Sequence, residues 1–254
     1  MSNQLTYFNQ VQILNSLRLV LNKYRSVREL YKDINLYYQK EEEEKRFSYS
    51  QFNRYIKGKW IIPENKVDIL LRFLNKNLNL AKDLIEPNLE IDINKTPIQI
   101  DLTRLVSNPQ KLNILAFHVI AQDHLRGKFD AILTHSEAVP LAISFSQLLN
   151  IPWYSITFRQ PAVHPLKIIH YPYLVDKELV RIAYFLKNQF ILKNYKILIV
   201  SDYIRRGGFI DILFRVAEDS SADIRFLFSV FAVGTLWKRF STELEENIRV
   251  LHYV

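Results

Sequence analysis

The sequence predicts a helical N-terminal domain followed by an α/β domain with a mostly parallel sheet. The pattern of apolar residues, which differs between the two regions, indicates this. As far as Leu80, apolar residues recur at helical spacing and no segment alternates in the manner of a strand. From Ile98 onward, short apolar runs alternate with helical segments, which is typical of buried parallel strands covered by helices on both faces. The stretch between them is rich in Asn, Asp and Lys. We therefore predict domains at residues 1–80 and 98–254, joined by a linker at 81–97.

The N-terminal domain is predicted to contain helices whose limits are set by capping residues. Ser26 and Glu29 are spaced as a capping box, in which each side chain accepts a hydrogen bond from a free backbone N–H at the start of a helix. Gly58 suits a left-handed cap at the end of the third helix, because glycine has no Cβ. The predicted helices lie at residues 11–21, 26–38, 50–56 and 64–74.

The second domain is predicted to alternate strands with helices. Asn108 and Pro109 are a favourable N-cap and first residue for a helix that runs to about Leu125. The predicted strands lie at residues 131–135, 153–158, 180–186, 197–200 and 226–233, the further helices at 138–149 and 210–218, and an irregular segment at 159–173. In parallel sheets ligands bind beyond the carboxyl ends of the strands, which is where residues 202–208 are expected.

Composition excludes several classes of function. The chain has no cysteine, which excludes disulfides, thiolate nucleophiles and cysteine-ligated zinc. Its histidines form no HxxxH or HExxH pattern, so no metal site is predicted. The absence of a signal-peptide pattern and of an apolar run of about 18 residues predicts a soluble cytoplasmic protein. An excess of 34 Lys and Arg over 26 Asp and Glu, a formal charge of +8, favours polyanionic partners such as nucleic acid.

The third predicted helix carries residue types that read DNA. Hydrogen-bond donors and acceptors suited to base edges in a major groove are supplied by Ser50, Gln51, Asn53 and Arg54. Lys57 and Lys59 follow them and are suited to phosphate oxygens, which add affinity without sequence information. The helix is expected to turn its apolar residues toward the core of the domain, namely Phe52, Tyr55 and Ile56.

The surrounding segment FSYSQFNRYIKGKWIIPENKVDILLRFL resembles the recognition-helix region of helix-turn-helix domains of the phage-repressor type. The resemblance covers about residues 10–75 and implies double-stranded DNA as a partner. The acidic run EEEEKR at residues 41–46 departs from it by lengthening the connection between the second and third helices. We expect this run to point away from DNA, because carboxylates repel phosphate. The alternative is a small helical interaction domain without DNA contact.

The segment KILIVSDYIRRGGF, at residues 196–209, reads as a buried strand that ends in a phosphate-sized loop. It resembles the phosphoribosyl-diphosphate loop of type I phosphoribosyltransferases, in which an apolar strand runs into two acidic residues and then a Gly-Gly pair. The upstream segments FDAILTHSEAVPLAISFSQLLNIPWYSITFRQ and VRIAYFLKNQFILKNYKILIV resemble further elements of that family. Together with the N-terminal segment, the chain resembles archaeal transcriptional regulators that fuse a helix-turn-helix module to a phosphoribosyltransferase-like domain.

The sequence departs from the family where the chemistry is performed. Ser201 stands in the place of the first acidic residue and Asp202 in the place of the second. Arg206 and Phe209 replace the hydroxyl residues that flank the glycines. Losing these groups removes hydrogen bonds worth about 0.5 to 3 kcal/mol each, so efficient phosphoribosyl transfer is not expected. The resemblance, with two arginine forks suited to phosphate, implies ligand binding at Ser201, Asp202, Arg205, Arg206, Gly207, Gly208, Glu137 and Arg159, with no catalytic residue.

These features together predict a transcriptional regulator. Its phosphoribosyltransferase-like domain is expected to sense phosphoribosyl diphosphate or a nucleotide, with Mg²⁺ as the one cofactor that phosphoribosyl diphosphate would bring. The family resemblance also implies a homodimer, which would present paired recognition helices to an approximately palindromic site. Two alternatives stay open at this point: an active nucleobase phosphoribosyltransferase with an atypical loop, and an interaction scaffold without catalysis.

Overall fold

Helices come first along the chain and an α/β arrangement follows them, as the sequence predicts. The computed structural model describes residues 2–39, 47–92, 99–157, 168–175, 179–186, 192–204, 209–234, 236–238, 240, 244 and 247–253. Within these residues the helices are α1 (Ser2–Leu21), α2 (Val27–Gln39), α3 (Tyr49–Ile56), α4 (Glu64–Asn77), α5 (Thr103–Val106), α6 (Pro109–Gln122), α7 (Val139–Leu149) and α8 (Phe209–Asp219). The strands are β1 (Glu90–Asp92), β2 (Gln99–Asp101), β3 (Ala131–His135), β4 (Trp153–Ile156), β5 (Ile168–Val175), β6 (Leu179–Leu186), β7 (Lys196–Ile204), β8 (Asp223–Ala232) and β9 (Ile248–Tyr253). None of the described helices combines the length and apolar character that crossing a membrane requires.

Capping groups fix where the N-terminal helices begin. At the start of α2 the backbone N–H of Glu29 donates to Ser26 Oγ at 3.2 Å, while the Glu29 carboxylate accepts from the N–H of Arg25 at 2.9 Å. The predicted capping box is therefore half formed, and its carboxylate bonds one residue earlier than expected. Helix α3 begins one residue before its predicted start, behind Ser48, which forms a complete capping box with Gln51.

The α/β region is built on a five-stranded sheet of order β4-β3-β7-β8-β9, in which every strand pair is parallel. Alternate residues of its strands face opposite sides. Ile132 and Leu198 pack into the apolar cluster that contains α6 and α7, whereas Leu133 and Ile199 pack into the cluster that contains α8. The predicted parallel sheet, covered by helices on both faces, is confirmed.

The predicted strands are corrected at three places. Strand β6, predicted within the main sheet, pairs antiparallel with β5 in a separate two-stranded sheet. The chain between them, 176–178, is too short for the crossover of a dozen or more residues that parallel pairing needs, so a hairpin results. The segment predicted as irregular at 159–173 ends in β5, since residues 168–175 form a strand, while residues 158–167 lie outside the described part. Strand β9 was not predicted and adds a fifth parallel strand beside β8.

The segment predicted as a linker contains ordered elements. Residues Ala81–Ile85 form a short π-helix and Glu86–Asn88 a 3₁₀ turn. Strand β1 then pairs antiparallel with β2, which lies just beyond the predicted boundary. Lys111 of α6 donates from Nζ to Asn88 Oδ1, so this segment is also tied to the α/β region.

The N-terminal helices and the α/β region share buried apolar surface. Ile13 of α1, Leu70 of α4 and Leu115 of α6 belong to the same buried cluster as Phe228 of the central sheet. Helix α1 packs directly against α6 as well as against α4. The two regions therefore bury part of their apolar surface against each other.

A buried histidine joins these helices. His118 of α6 is fully buried, with Nε2 2.9 Å from Ser16 Oγ of α1 and Nδ1 3.2 Å from Asn75 Oδ1 at the end of α4. Ser16 Oγ itself donates to the carbonyl of Gln12 at 2.7 Å, so its lone pair accepts from Nε2–H of the neutral ring. Nδ1 of that tautomer is an acceptor, and an Asn75 amide turned by about 180° donates an N–H to it. Burial lowers the pKa of His118 from 6.5 to about 4. The neutral imidazole is thus the form that the packing of these three helices favours.

The stability of the fold is expected to depend on pH through His118. Because its folded pKa lies below its unfolded pKa, the unfolded chain binds the extra proton more strongly between about pH 4 and pH 6.5. The free energy of unfolding should therefore be fully present above pH 6.5 and fall by roughly 2 to 3 kcal/mol toward pH 4. Urea unfolding followed by circular dichroism at steps across this range measures the slope.

A His118→Gln variant should be less stable at pH 7, because it disturbs both hydrogen bonds, and should show a flatter pH dependence over the same range. The matched control is His124→Gln, since His124 is exposed, and it should retain the slope of the original protein. An unchanged slope in His118→Gln would contradict the assignment.

Candidate functional site

The carboxyl ends of β3 and β7 open at the same edge of the sheet. The two strands pair in parallel, with Thr134 opposite Val200. Strand β3 ends at His135 and β7 continues through Asp202 to Ile204, the last described residue before α8 begins. Loops that follow parallel neighbours meet at one edge, which is where ligands bind in open α/β sheets.

Three polar residues meet at this edge. His135 Nε2 lies 3.0 Å from Ser201 Oγ and 3.2 Å from Asp202 Oδ1. The His135 ring also packs on Phe209, the first residue of α8, with ring centroids 4.9 Å apart. Ser201 and Asp202 were predicted at this site from the sequence, whereas His135 was not. The signal for it was a polar residue at the carboxyl end of a buried strand, at the edge where ligands bind.

The Ser201 hydroxyl is occupied by the protein itself. It is fully buried, donates to the carbonyl of Tyr203 at 3.0 Å and lies 3.2 Å from the N–H of Tyr203, which donates to it. Since its proton points to a carbonyl, His135 Nε2 must carry the hydrogen that Ser201 Oγ accepts. Ser201 therefore shapes the end of β7 and cannot supply the negative charge of a carboxylate.

The His135, Ser201 and Asp202 cluster does not have the geometry of a nucleophilic triad. In such a triad the histidine takes the serine proton through one ring nitrogen and donates to the acid through the other. Here both contacts use Nε2, and the serine is fully buried. The cluster therefore lacks the arrangement that would activate Ser201.

Asp202 is the acidic group at the end of β7. Its side chain is 14% exposed, and its Oδ1 faces His135 Nε2 at 3.2 Å but accepts no hydrogen bond within the described part of the chain. Such an oxygen is costly to bury unless a donor reaches it. A hydroxyl donor of a ligand at this edge would satisfy that requirement.

The remaining predicted ligand residues are divided between the described and undescribed parts. Glu137 is exposed in the 3₁₀ turn that joins β3 to α7, at the same edge as Asp202. Thr134, within β3, is buried and donates to the Val200 carbonyl at 2.7 Å, so it ties β3 to β7. Outside the described residues lie Arg159, Arg205, Arg206, Gly207 and Gly208.

The surface of α3 divides into an apolar and a polar face. Its three predicted core residues are buried, which confirms that expectation, namely Phe52, Tyr55 and Ile56. Ser50 and Arg54 are exposed, Gln51 and Asn53 are half-buried, and Lys57 and Lys59 are exposed just after the helix. The Gln51 side chain accepts from the N–H of Ser48 at 3.1 Å in the capping box, so part of its hydrogen-bonding capacity serves the helix.

The end of α3 is fixed in position. Gly58 has a φ of +66°, the left-handed cap that the sequence predicts, and the N–H of Lys59 donates to the Arg54 carbonyl at 2.9 Å. The Arg18 guanidinium of α1 donates to the Ile56 carbonyl through Nε at 3.1 Å and Nη2 at 2.9 Å. These bonds hold α3 against α1 and leave its polar face outward.

A cavity of about 720 Å³ lies between the end of α4 and β9. Arg249 lines it and donates to Gln122 Oε1 at 2.9 Å and to Asp123 Oδ1 at 3.3 Å. Burial raises the pKa of Asp123, an effect that Arg249 opposes. This cavity runs along the outermost strand and is separate from the edge formed by β3 and β7.

Comparisons with known proteins agree with the architecture. No protein-family model matches the chain, and no curated protein matches it. Among solved structures, adenine phosphoribosyltransferase from Giardia lamblia, complexed with 9-deazaadenine, superposes with a TM-score of 0.57 at 12% identity, covering 70% of this chain and 98% of that one. The adenine phosphoribosyltransferases from Rhodothermus marinus (TM-score 0.55, 14% identity, 68% and 98% covered) and Thermoanaerobacter pseudethanolicus (0.54, 16%, 67% and 98%) are similar to it as well. The chain therefore contains a domain with the fold of the type I phosphoribosyltransferases.

Proposed function

We propose that this chain is a DNA-binding transcriptional regulator whose phosphoribosyltransferase-like domain binds a phosphorylated ligand without catalysing phosphoribosyl transfer. The observation that carries the DNA-binding part is the outward polar face of α3. Ser50 and Arg54 lie on it, and Lys57 and Lys59 follow in the turn. A helix with this pattern is suited to base edges through its own residues and to phosphates through the lysines.

The ligand-binding part of the proposal is supported by the edge formed by β3 and β7. Asp202 supplies a buried carboxylate oxygen there, and the segment that follows β7 contains two arginines and a Gly-Gly pair. Arginine forks and glycine backbone N–H groups are both suited to phosphate. Phosphoribosyl diphosphate or a nucleotide is the ligand class that fits, and Mg²⁺ would be held largely by the phosphate oxygens of the ligand.

The proposed loss of catalysis follows from Ser201. A carboxylate in its place would accept two hydroxyl donors and carry charge, whereas the Ser201 hydroxyl is buried and bonded to the backbone of Tyr203. His135 occupies its remaining lone pair. With one acidic group instead of two, the site favours binding over transfer.

Regulation by such a ligand requires a difference in affinity between two arrangements of the protein. A homodimer would present two α3 helices to half-sites of DNA, and a ligand that binds one dimer arrangement better would change their spacing. The dimer is part of the proposal and rests on the symmetry that paired recognition helices need.

DNA binding should depend on the polar face of α3. DNA fragments selected by the protein from a random library supply the probe, and fluorescence anisotropy supplies the affinity. Arg54→Ala should weaken selected DNA by roughly 1 to 3 kcal/mol and relax the preference at one position, whereas Lys57→Ala should weaken all sequences and reduce the salt dependence. The matched control is Lys128→Ala, an exposed lysine of the α/β region, which should bind as the original protein does. Weak binding without sequence preference that ignores these changes would contradict the DNA-binding proposal.

Ligand binding should stabilise the protein through Asp202. At a concentration of phosphoribosyl diphosphate about 100 times Kd, stabilisation of about 2.7 kcal/mol is expected, seen as a rise of several degrees in Tm. Asp202→Asn should reduce this rise, because the amide no longer offers two acceptor oxygens. Asp223→Asn lies at the amino-terminal end of β8, away from the loops, and should leave it intact. An equal rise in both variants would contradict the role of Asp202.

The alternative, an active phosphoribosyltransferase, is distinguished from a binding module by an assay for diphosphate release. Incubation with phosphoribosyl diphosphate, Mg²⁺ and adenine should release no diphosphate above background if the domain is a binding module. Turnover that Asp202→Ala abolishes would favour the active phosphoribosyltransferase instead. A protein that shows neither DNA selectivity nor ligand-dependent stabilisation would be an interaction scaffold.

A further inference from the structure

An exposed tryptophan stands beside the polar face of α3. Trp60 lies in the turn between α3 and α4 with 45% of its surface exposed, and its neighbour Ile61 is 69% exposed. The Arg54 guanidinium lies over the Trp60 ring, 4.4 Å from the ring centroid. Large aromatic side chains left on a surface commonly mark a contact with a partner.

The Trp60 ring is anchored to the core by a series of aromatic contacts. Its edge meets Tyr55, with centroids 6.3 Å apart and ring planes at 62°. Tyr55 in turn contacts Phe47 at 5.6 Å, and Phe47 contacts the fully buried Phe52 at 6.0 Å. Trp60 is thus a fixed surface on which a long and otherwise mobile arginine side chain can rest.

The stacking has a consequence for binding. A long arginine side chain has much rotamer freedom, part of which is lost when it contacts a ligand. The Arg54 guanidinium, which already rests over the Trp60 ring, has lost some of that freedom before any ligand binds. At an exposed site such an interaction changes affinity by about twofold to fivefold.

We propose that Trp60 is a positioning residue of the DNA-binding surface, which holds the Arg54 guanidinium for a bidentate contact with a guanine in the major groove. This inference rests on the proposed function. Arginine paired with the O6 and N7 atoms of guanine is the commonest specific contact to a base. Three cations lie near the ring: Arg54, Lys57 and Lys59. Their charge favours a polyanion as the partner of this surface, because a second copy of this basic chain would be repelled.

The test compares Trp60→Ala, Trp60→Phe, Arg54→Ala and the double variant Trp60→Ala/Arg54→Ala, each by anisotropy on selected DNA and on DNA of scrambled sequence. Trp60→Ala should weaken selected DNA by about twofold to fivefold and leave scrambled DNA unchanged, so that specificity falls. Trp60→Phe should recover part of the loss, because it keeps an aromatic face. The double variant should bind no worse than Arg54→Ala, since Trp60 acts through the arginine. Ile61→Ala, beside it, is the control that should change nothing.

Several outcomes would overturn the inference. One is a loss in Trp60→Ala that adds to that of Arg54→Ala or affects scrambled DNA equally. Another is an unchanged affinity with an altered oligomeric state in size-exclusion chromatography, which would assign Trp60 to a protein interface. If Trp60→Ala does not fold, Trp60→Leu replaces it as the variant without an aromatic ring. Equal DNA specificity in Trp60→Phe and Trp60→Leu would then overturn the inference as well. Should the original protein show no sequence preference, the proposed function fails together with this inference; a selective protein with an indifferent Trp60 refutes the inference alone.

Discussion

The parallel pairing of β7 with β3 and β8 is the constraint on which the rest of the structure depends. Strand β7 is central in the sheet and fully apolar from Ile197 to Val200, so it buries side chains on both faces at once. Both layers of helices need this strand, because each packs on one of its faces. The same pairing brings His135 and Ser201, which are 66 residues apart in the sequence, to hydrogen-bonding distance. The register of the β3–β7 pair therefore determines both the packing of the core and the geometry of the candidate site.

The sequence was informative where a short apolar run is bounded by polar residues. The limits of β3 were predicted to the residue, and Asn108 caps α6 as expected by accepting from the N–H of Lys111 at 3.1 Å. Pairing was less predictable, because a run such as VRIAYFL shows that a strand forms without showing its partner. The engagement of Ser201 with Tyr203 was not predictable either, since it depends on the path of the backbone at the end of β7. The role of His135 likewise depends on the register of two distant strands.

Ser201 keeps its own position near the end of β7 uncharged. Its hydroxyl satisfies local backbone groups and a buried imidazole. A carboxylate buried at this position would need compensating partners, which the hydroxyl does not. Ser229 bonds to the carbonyl of Phe231 in the same way on the neighbouring strand. The two paired serines thus each bond to the backbone two residues further along their own strand.

The His118 contact with Ser16 and Asn75 limits how freely the two regions of the chain can be exchanged or separated. A fragment that lacks α1 and α4 would expose the face of α6 that packs on them, and would leave an imidazole without its two partners. Recombination that transplants the N-terminal helices onto another α/β scaffold would need to reproduce both the apolar surface and the hydrogen-bonding pattern. The N-terminal helices are in this respect less a detachable module than a co-adapted part of the same core, so they and α6 are expected to diverge together in evolution.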